Sequence, residues 1–199
     1  MQKFLITTLF AGLLISSPAA AIVNIGLSGS ASTSNFSLET HRSTAMSANI
    51  SIGLWSFLHI GLTHRRSFEN KSGFKKASPT PTSYSYIEFR DNTESVTNSV
   101  DLTLFLSQGT ISPFVFGGVA RRDYITEIEF QDQRVRSTTT LYPVPNYGVG
   151  ASIRLSMKFQ LNLTHTFTPG LKTTVDDNGE ENSSVVNDSY TQMGITYRI

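Results

Sequence analysis

The sequence predicts an all-β fold: an eight-stranded antiparallel up-and-down transmembrane β-barrel. Three observations carry that expectation. Apolar and polar residues alternate with a period of two in segment after segment, the mark of strands with two unlike faces. The connections between these segments alternate short and long in strict order, with both ends of the mature chain on the short-turn side. After residue 21 no apolar run is long enough to cross a bilayer as a helix. A membrane-embedded chain must then close a barrel, because only closure satisfies every backbone group in lipid. Hydrophobic residues are only 39% of the chain while aromatics reach 11%, which suits strands better than helices.

The first element is a targeting signal. Lys3 is a short basic start, residues 4–15 are apolar, Ser16, Ser17 and Pro18 break the run, and Ala19, Ala20 and Ala21 form a small-residue cleavage site. Residues 1–21 therefore read as a secretory signal peptide and residues 22–199 as one barrel domain. Of the 16 basic residues the signal holds only Lys3 and none of the 15 acidic ones, so the mature chain is formally neutral. A neutral chain has no global field for nucleic acid. With no cysteine there is no disulfide framework and no thiol nucleophile.

The strands follow in order. In the first, Val23, Ile25, Leu27 and Ala31 oppose Asn24, Gly26, Ser28, Ser30 and Ser32. In the second, Met46, Ala48, Ile50, Ile52 and Leu54 oppose Ser47, Asn49, Ser51 and Gly53, and a short aromatic turn at residues 55–57 follows. In the third, Leu58, Ile60 and Leu62 oppose His59, Gly61, Thr63 and Arg65. Residues 68–93, with Gly73, Pro79, Pro81 and many Ser and Thr, read as a long loop whose 84–89 portion can extend the next strand. In the fourth, Val100, Leu102, Leu104 and Leu106 oppose Ser99, Asp101, Thr103 and Phe105, before a tight turn at residues 108–110. The fifth carries apolar residues on both faces between Pro113 and Ala120, which leaves its facing open. After a polar tip at residues 131–134 the sixth places Tyr147, Val149, Ala151, Ile153 and Leu155 against Gly148, Gly150, Ser152 and Arg154. A turn at 156–158 leads to the seventh, with Phe159, Leu161, Leu163 and Phe167 against Gln160, Asn162, Thr164 and Thr166. Residues 170–186 read as an acidic loop with an Asn178-Gly179 hairpin signal. The eighth runs to the last residue, with Met193, Ile195, Tyr197 and Ile199 on its apolar face. The longer connections are expected near 39–42, 68–93, 131–134 and 170–186.

A narrow barrel of eight strands is filled by side chains rather than left as a wide channel. Its polar filling must be mutually bonded, since a lone buried charge is costly. Asp101, Arg154, Arg198, Arg65 and His59 are the inward charged or titratable candidates, and a network centred on Asp101 and one or more of the arginines is expected. Trp55, Phe57, Tyr142, Tyr147, Phe159, Phe167 and Tyr197 fall where interfacial aromatic girdles belong.

At the level of pattern the whole mature chain resembles the small outer-membrane β-barrel proteins of Gram-negative bacteria, the OmpA/OmpX/OmpW-like group. The residues that carry the resemblance are the signal peptide, I-S-P-F-V-F-G-G-V-A, Y-G-V-G-A-S-I-R-L and the terminal M-G-I-T-Y-R-I. The resemblance implies an outer-membrane location among lipid and lipopolysaccharide, export by a cleaved signal, and a monomer. It also implies that the barrel-assembly machinery reads the terminal strand, through Met193, Ile195, Tyr197 and Ile199. In that group the strand usually ends in Phe, where this chain has Ile199. The group includes structural anchors, adhesion and resistance factors, narrow channels and a few lipid-modifying enzymes, so fold does not determine function.

The expected function is a non-enzymatic structural or surface-interaction role carried by the external connections. A narrow passive pore for small solutes is the alternative, and a lipid A-modifying enzyme comes third. His64 and His165 share an L-T-H context near the outer ends of their strands. This is superficially similar to lipid A deacylases, but His165-Thr166-Phe167-Thr168 lacks the His-x-Ser-Asn segment, and no Ser, His and carboxylate spacing makes a triad. No catalytic, cofactor or metal residues are therefore assigned. Arg66, Lys71, Lys75 and Lys76, near Arg65, could pair with lipopolysaccharide phosphates or form a solvated loop. Asp176, Asp177, Glu180 and Glu181 lack a calcium-loop spacing and read as a solvated turn.

Overall fold

A computed structural model describes residues 22–36, 38–80, 83–130, 133–175 and 181–199. Eight strands run in chain order: β1 (Val23–Phe36), β2 (Glu39–Gly53), β3 (Leu58–Thr80), β4 (Ser83–Phe105), β5 (Ile111–Phe130), β6 (Gln133–Arg154), β7 (Phe159–Val175) and β8 (Glu181–Arg198). Each is antiparallel to its chain neighbour, and β8 pairs back onto β1 to close the ring. Residues 1–21, expected to be a signal peptide, and residues 37, 81–82, 131–132 and 176–180 lie outside the described residues.

The faces are inverted relative to a soluble protein. Leu27, Met46, Leu62, Leu102, Val115, Val149, Leu163 and Met193 are exposed, while Asn24, Arg65, Ser99, Asp101, Asn146, Ser152, Gln192 and Thr196 are buried. Period-two alternation sends one set outward and the other inward on every strand. At the outer rim Arg66, Glu94 and Arg121 bring charge onto the outward face, which marks the top of the apolar band.

Closure depends on a close approach. Gly194 stands opposite Ser28 in the β1–β8 ladder, and a Cβ there would collide with the Leu27 carbonyl and the Ser28 side chain. Glycine is thus required for the last strand to meet the first.

β5, whose facing the sequence leaves open, is resolved by its partner. Ser112, Phe114, Ala120, Arg122 and Tyr124 are buried, while Pro113, Val115, Gly117, Val119 and Arg121 are exposed. Phe114 and Phe116 pair in register with Gly150 and Gly148, and their rings occupy the space a Cβ on either glycine would need. The rings can point inward because β6 leaves them room. Phe105 lies 5.4 Å from Phe114 and His59 lies 4.9 Å from Phe105, so the lower lumen is partly aromatic rather than purely polar. On β6, Tyr142 and Pro143 together oppose Arg121, a bulge that switches the inward set from Leu141 to Val144.

The long connections need correction. Residues 68–93 are not a loop: β3 and β4 stay in register from Leu58↔Leu104 through Ala77↔Ser85, with Thr80↔Ser83 beyond one irregularity. Ser, Thr and Asn, read as loop residues, sit in this ladder as cross-strand pairs. Asn70 pairs with Asn92 within the span, and just below it Ser67 Oγ lies 2.7 Å from Ser95 Oγ. Likewise 39–42 lies inside β2, 133–134 inside β6, and 170–175 and 181–186 inside β7 and β8. Polar composition marks solvent on both faces here, not the end of pairing. A strand needs about 9–11 residues to cross the hydrocarbon, and β3 and β4 have 23 each. The ribbons therefore stand well above the membrane.

Among the described residues the wall is not continuous at that height. β6 and β7 pair only from Tyr147↔Phe167 down to Arg154↔Gln160. β1 and β8 pair only from Gly29↔Met193 down to Asn24↔Arg198. β7 and β8 remain paired with each other up to Val175↔Glu181. Above the rim the β7–β8 ribbon therefore stands between two seams, beside the laddered sheet of β1 to β6.

Candidate functional site

The lumen is the one place where charged side chains are deeply buried among the described residues. It is organised in tiers by the strand register. Asp101 sits mid-height, facing Gly61 on β3 and Gly118 on β5 across its two ladders. It accepts hydrogen bonds from Ser99 Oγ at 2.6 Å and Asn146 Nδ2 at 2.7 Å. Asn146 Oδ1 accepts in turn from Thr168 Oγ1 at 2.7 Å. Thr168 is 0% exposed. This chain ties β4 to β6 and β6 to β7 across the barrel. Among the described residues no arginine pairs with Asp101, and neutral donors stand where a carboxylate–arginine centre is expected. The reason is height: Arg65 lies opposite Thr97, two inward positions above Asp101 on β4. Arg154 and Arg198 stand at the opposite, lower mouth.

The upper tier holds the arginines. Arg65 and Arg122 flank Thr97 from either side, on β3 and β5. Arg122 donates to Asp188 Oδ2 at 2.9 Å and to the Pro169 carbonyl at 3.2 Å, and its guanidinium lies 4.5 Å from the Tyr124 ring. Arg65 packs its guanidinium 3.4 Å from the Tyr190 ring. Pro169, Asp188 and Tyr190 all belong to the β7–β8 ribbon, so both arginines grip its base. Sequence alone does not single out Arg122 and Asp188, because the fifth strand's facing stays open and position 188 adjoins residues 170–186, which read as a loop.

The lower mouth is a cavity of about 280 Å³ whose lining includes Asn24, His59, Gln160, Arg154 and Arg198. His59 Nδ1 lies 3.3 Å from Asn24 Nδ2. A second cavity, of about 150 Å³, rises from Asn24 and His59 to Arg65 and Tyr190. The two share Asn24, His59, Phe105 and Gln160 in their walls.

Of the basic candidates outside, Arg66 and Lys71 stand at opposite parities of β3. Arg66 faces outward, donates to Glu94 Oε1 at 2.6 Å and stacks 4.9 Å from Phe68. Lys71, at the opposite parity of β3, lies 3.4 Å from Glu69. Lys75 and Lys76 continue up the same strand opposite Ile87 and Tyr86, with their side chains outside the described residues. Strand alternation splits a run that would form one patch on a loop. Of the acidic candidates, 176, 177 and 180 are outside the described residues. His64 Nδ1 lies 2.8 Å from Asn98 Oδ1, and His165 Nδ1 lies 2.8 Å from Thr191 Oγ1. Met193 and Ile195 on β8, and Ile199 just past its end, are exposed, and Tyr197 packs 5.1 Å from Phe159.

The sequence matches no protein-family model and no curated protein. Solved structures do match. The N-terminal β-barrel domain of OprF from Pseudomonas aeruginosa superposes with a TM-score of 0.51 at 12% identity, covering 90% of this chain and 100% of that one. The outer membrane protein OprG of the same organism gives 0.52 at 10% identity, covering 90% and 95%. The outer membrane protease OmpT of Escherichia coli gives 0.44 at 8% identity, covering 92% and 98%, a likeness too weak to carry an argument. Identities this low establish a shared fold. The chain has the architecture of the small eight-stranded transmembrane β-barrels.

Proposed function

We propose that this is a non-enzymatic outer-membrane protein of a Gram-negative envelope that presents its external β-ribbons to other molecules at the cell surface. The observation that carries the reading is the length of β3 and β4, 23 residues each, laddered far above the apolar band. A barrel that served only as an anchor would not need them. The ribbons bordering the two seams also leave strand edges unpaired, where an extended partner segment can add by backbone hydrogen bonding. Residues 1–21 act as the cleaved export signal in this reading. The outward row of Met193, Ile195, Tyr197 and Ile199 serves as the assembly signal. Arg66 beside Phe68 contacts lipopolysaccharide at the rim, and the barrel is monomeric.

The test is to excise residues 69–91, join the strands by an Asn-Gly turn, and probe arrays of glycans and matrix proteins with cells expressing either form. Loss of binding with retained heat-modifiable gel migration is the expected result. Undiminished binding on every surface would sink the reading.

A narrow passive pore is the second reading, favoured by the two lumenal cavities that meet at His59 and Gln160. The chain of Asp101, Asn146 and Thr168 opposes it. Planar-bilayer conductance separates the two, and steady channel openings would favour the pore. Lipid A modification is the weakest reading, since the rim histidines bond to Asn98 and Thr191 rather than to a nucleophile–carboxylate pair. An unchanged lipid A mass in expressing cells is the expected outcome.

A further inference from the structure

The upper tier of the lumen has more cation than carboxylate. Arg65 is 3% exposed and Arg122 4% exposed, and Asp188 is taken by Arg122. Asp101, lower in the lumen, is occupied by Ser99 and Asn146. Tyr190 covers one face of the Arg65 guanidinium, but a ring face supplies no acceptor in the guanidinium plane. Arg65 Nε and Nη1 have no hydrogen-bond partner among the described residues.

Arg65 is not alone. Thr97, its neighbour on β4, has an unpartnered buried hydroxyl, and Gln192 an unpartnered buried Nε2. Gln192 uses its Oε1 to accept from Ser47 Oγ at 3.3 Å, and Ser47 is the β2 neighbour of Arg65. Gln192, Thr97 and Arg65 are linked through neighbouring strand positions and line the same cavity of about 150 Å³. The unused groups are guanidinium and amide N–H donors and a hydroxyl that can either donate or accept. A metal cation would be repelled by the guanidinium and finds lone pairs only on the hydroxyl. A water molecule could bond to these groups but would leave the buried guanidinium charge without a counter-charge, since Asp188 is bonded to Arg122. A donor-rich set beside such a guanidinium suits a group that accepts hydrogen bonds and carries negative charge.

We propose that the upper lumen is a binding site for a small inorganic anion of the halide class, held at the edge of Arg65 by Gln192 Nε2 and the Thr97 hydroxyl. The anion balances Arg65 as Asp188 balances Arg122, and it completes the grip of the upper tier on the β7–β8 ribbon.

Chloride-35 NMR linewidths of the full mature chain refolded in detergent micelles read such a site directly. Excess broadening, displaced by bromide, is expected for the wild type and is lost in Arg65→Gln. Arg121→Gln, which removes an exposed rim arginine, should leave it unchanged. If Arg65→Gln does not regain heat-modifiable migration, Gln192→Met takes its place. That change keeps the volume, removes one donor to the anion, and should weaken chloride binding about tenfold. No excess broadening in the wild type overturns the proposal. So does broadening that persists in Arg65→Gln or is undiminished in Gln192→Met, because the ion would then be elsewhere.

Discussion

Two ribbons leave the outer rim and are held by different means. The β3–β4 ribbon is flanked by β2 as far as Gly73 and by β5 as far as Phe89, so it stands inside a continuous backbone ladder. Among the described residues the β7–β8 ribbon has no ladder on either side above Phe167 and Met193. What holds its base is side-chain chemistry: Arg122 on Pro169 and Asp188, Arg65 on Tyr190, and Asn146 on Thr168. Backbone pairing is distributed over many bonds and tolerates single substitutions. A grip made by a few buried polar groups does not, because each loss leaves a partner desolvated and unpaired.

The largest effect should come from Asp188→Asn, which strands the buried Arg122 without its carboxylate. We expect a loss of about 2–3 kcal/mol in urea unfolding from lipid vesicles. Hydrogen-exchange protection should fall at residues 168–175 and 181–190 much more than at 58–80. Equal loss in both ribbons would refute the contrast. Next is Asn146→Leu, which removes a donor to Asp101 and the acceptor of Thr168. A loss of about 2 kcal/mol is expected by the same assay, and a neutral result would show that the chain from Asp101 to Thr168 contributes nothing.

The smallest effects belong to the exposed β5–β6 ribbon. Glu127 lies 2.6 Å from Arg134 and 3.5 Å from Arg136, and Thr140 donates to Asp123 at 2.6 Å. These partners hold both carboxyls below their ordinary values, Asp123 chiefly through Thr140 with Arg121 adding, and Glu127 chiefly through Arg134. A depressed folded-state value contributes stability above the unfolded value and loses it as pH falls through the folded one. The window therefore lies below the ordinary 3.8 for Asp and 4.5 for Glu. Carboxylate carbon-13 titration should place both midpoints there, and midpoints at the ordinary values would contradict the pairing. Glu127→Gln should leave global unfolding unchanged, since exposed ion pairs contribute little.

Much of the barrel is legible in the sequence because the bilayer imposes one rule on every strand. Ile50 and Asn49, Leu102 and Asp101, Ile195 and Thr196 each announce a face by chemistry alone. The rule lapses where water wets both faces. Ser72 and Asn92 look like loop residues, yet they sit in a ladder, because pairing needs only backbone and a partner in register. It also lapses at Phe114 and Phe116, whose inward direction depends on Gly150 and Gly148 more than thirty residues away along the chain.

The candidate site follows the same division. Asp101, Arg65 and His59 are recognisable from the polar side of an alternating strand. Which carboxylate meets which arginine depends on height in the lumen, and height is set by the stagger between strands. That stagger places Arg65 beside Thr97 rather than beside Asp101. Arg122 reaches β7–β8 because a narrow ring brings β5 within a side chain's length of a ribbon it never pairs with. Period-two alternation, together with the ordered alternation of short and long connections, thus determined that the chain folds as a barrel and, β5 apart, which membrane-level residues line it. Only closure of the ring decided their partners, because contacts across a lumen join strands far apart in sequence and leave no local pattern.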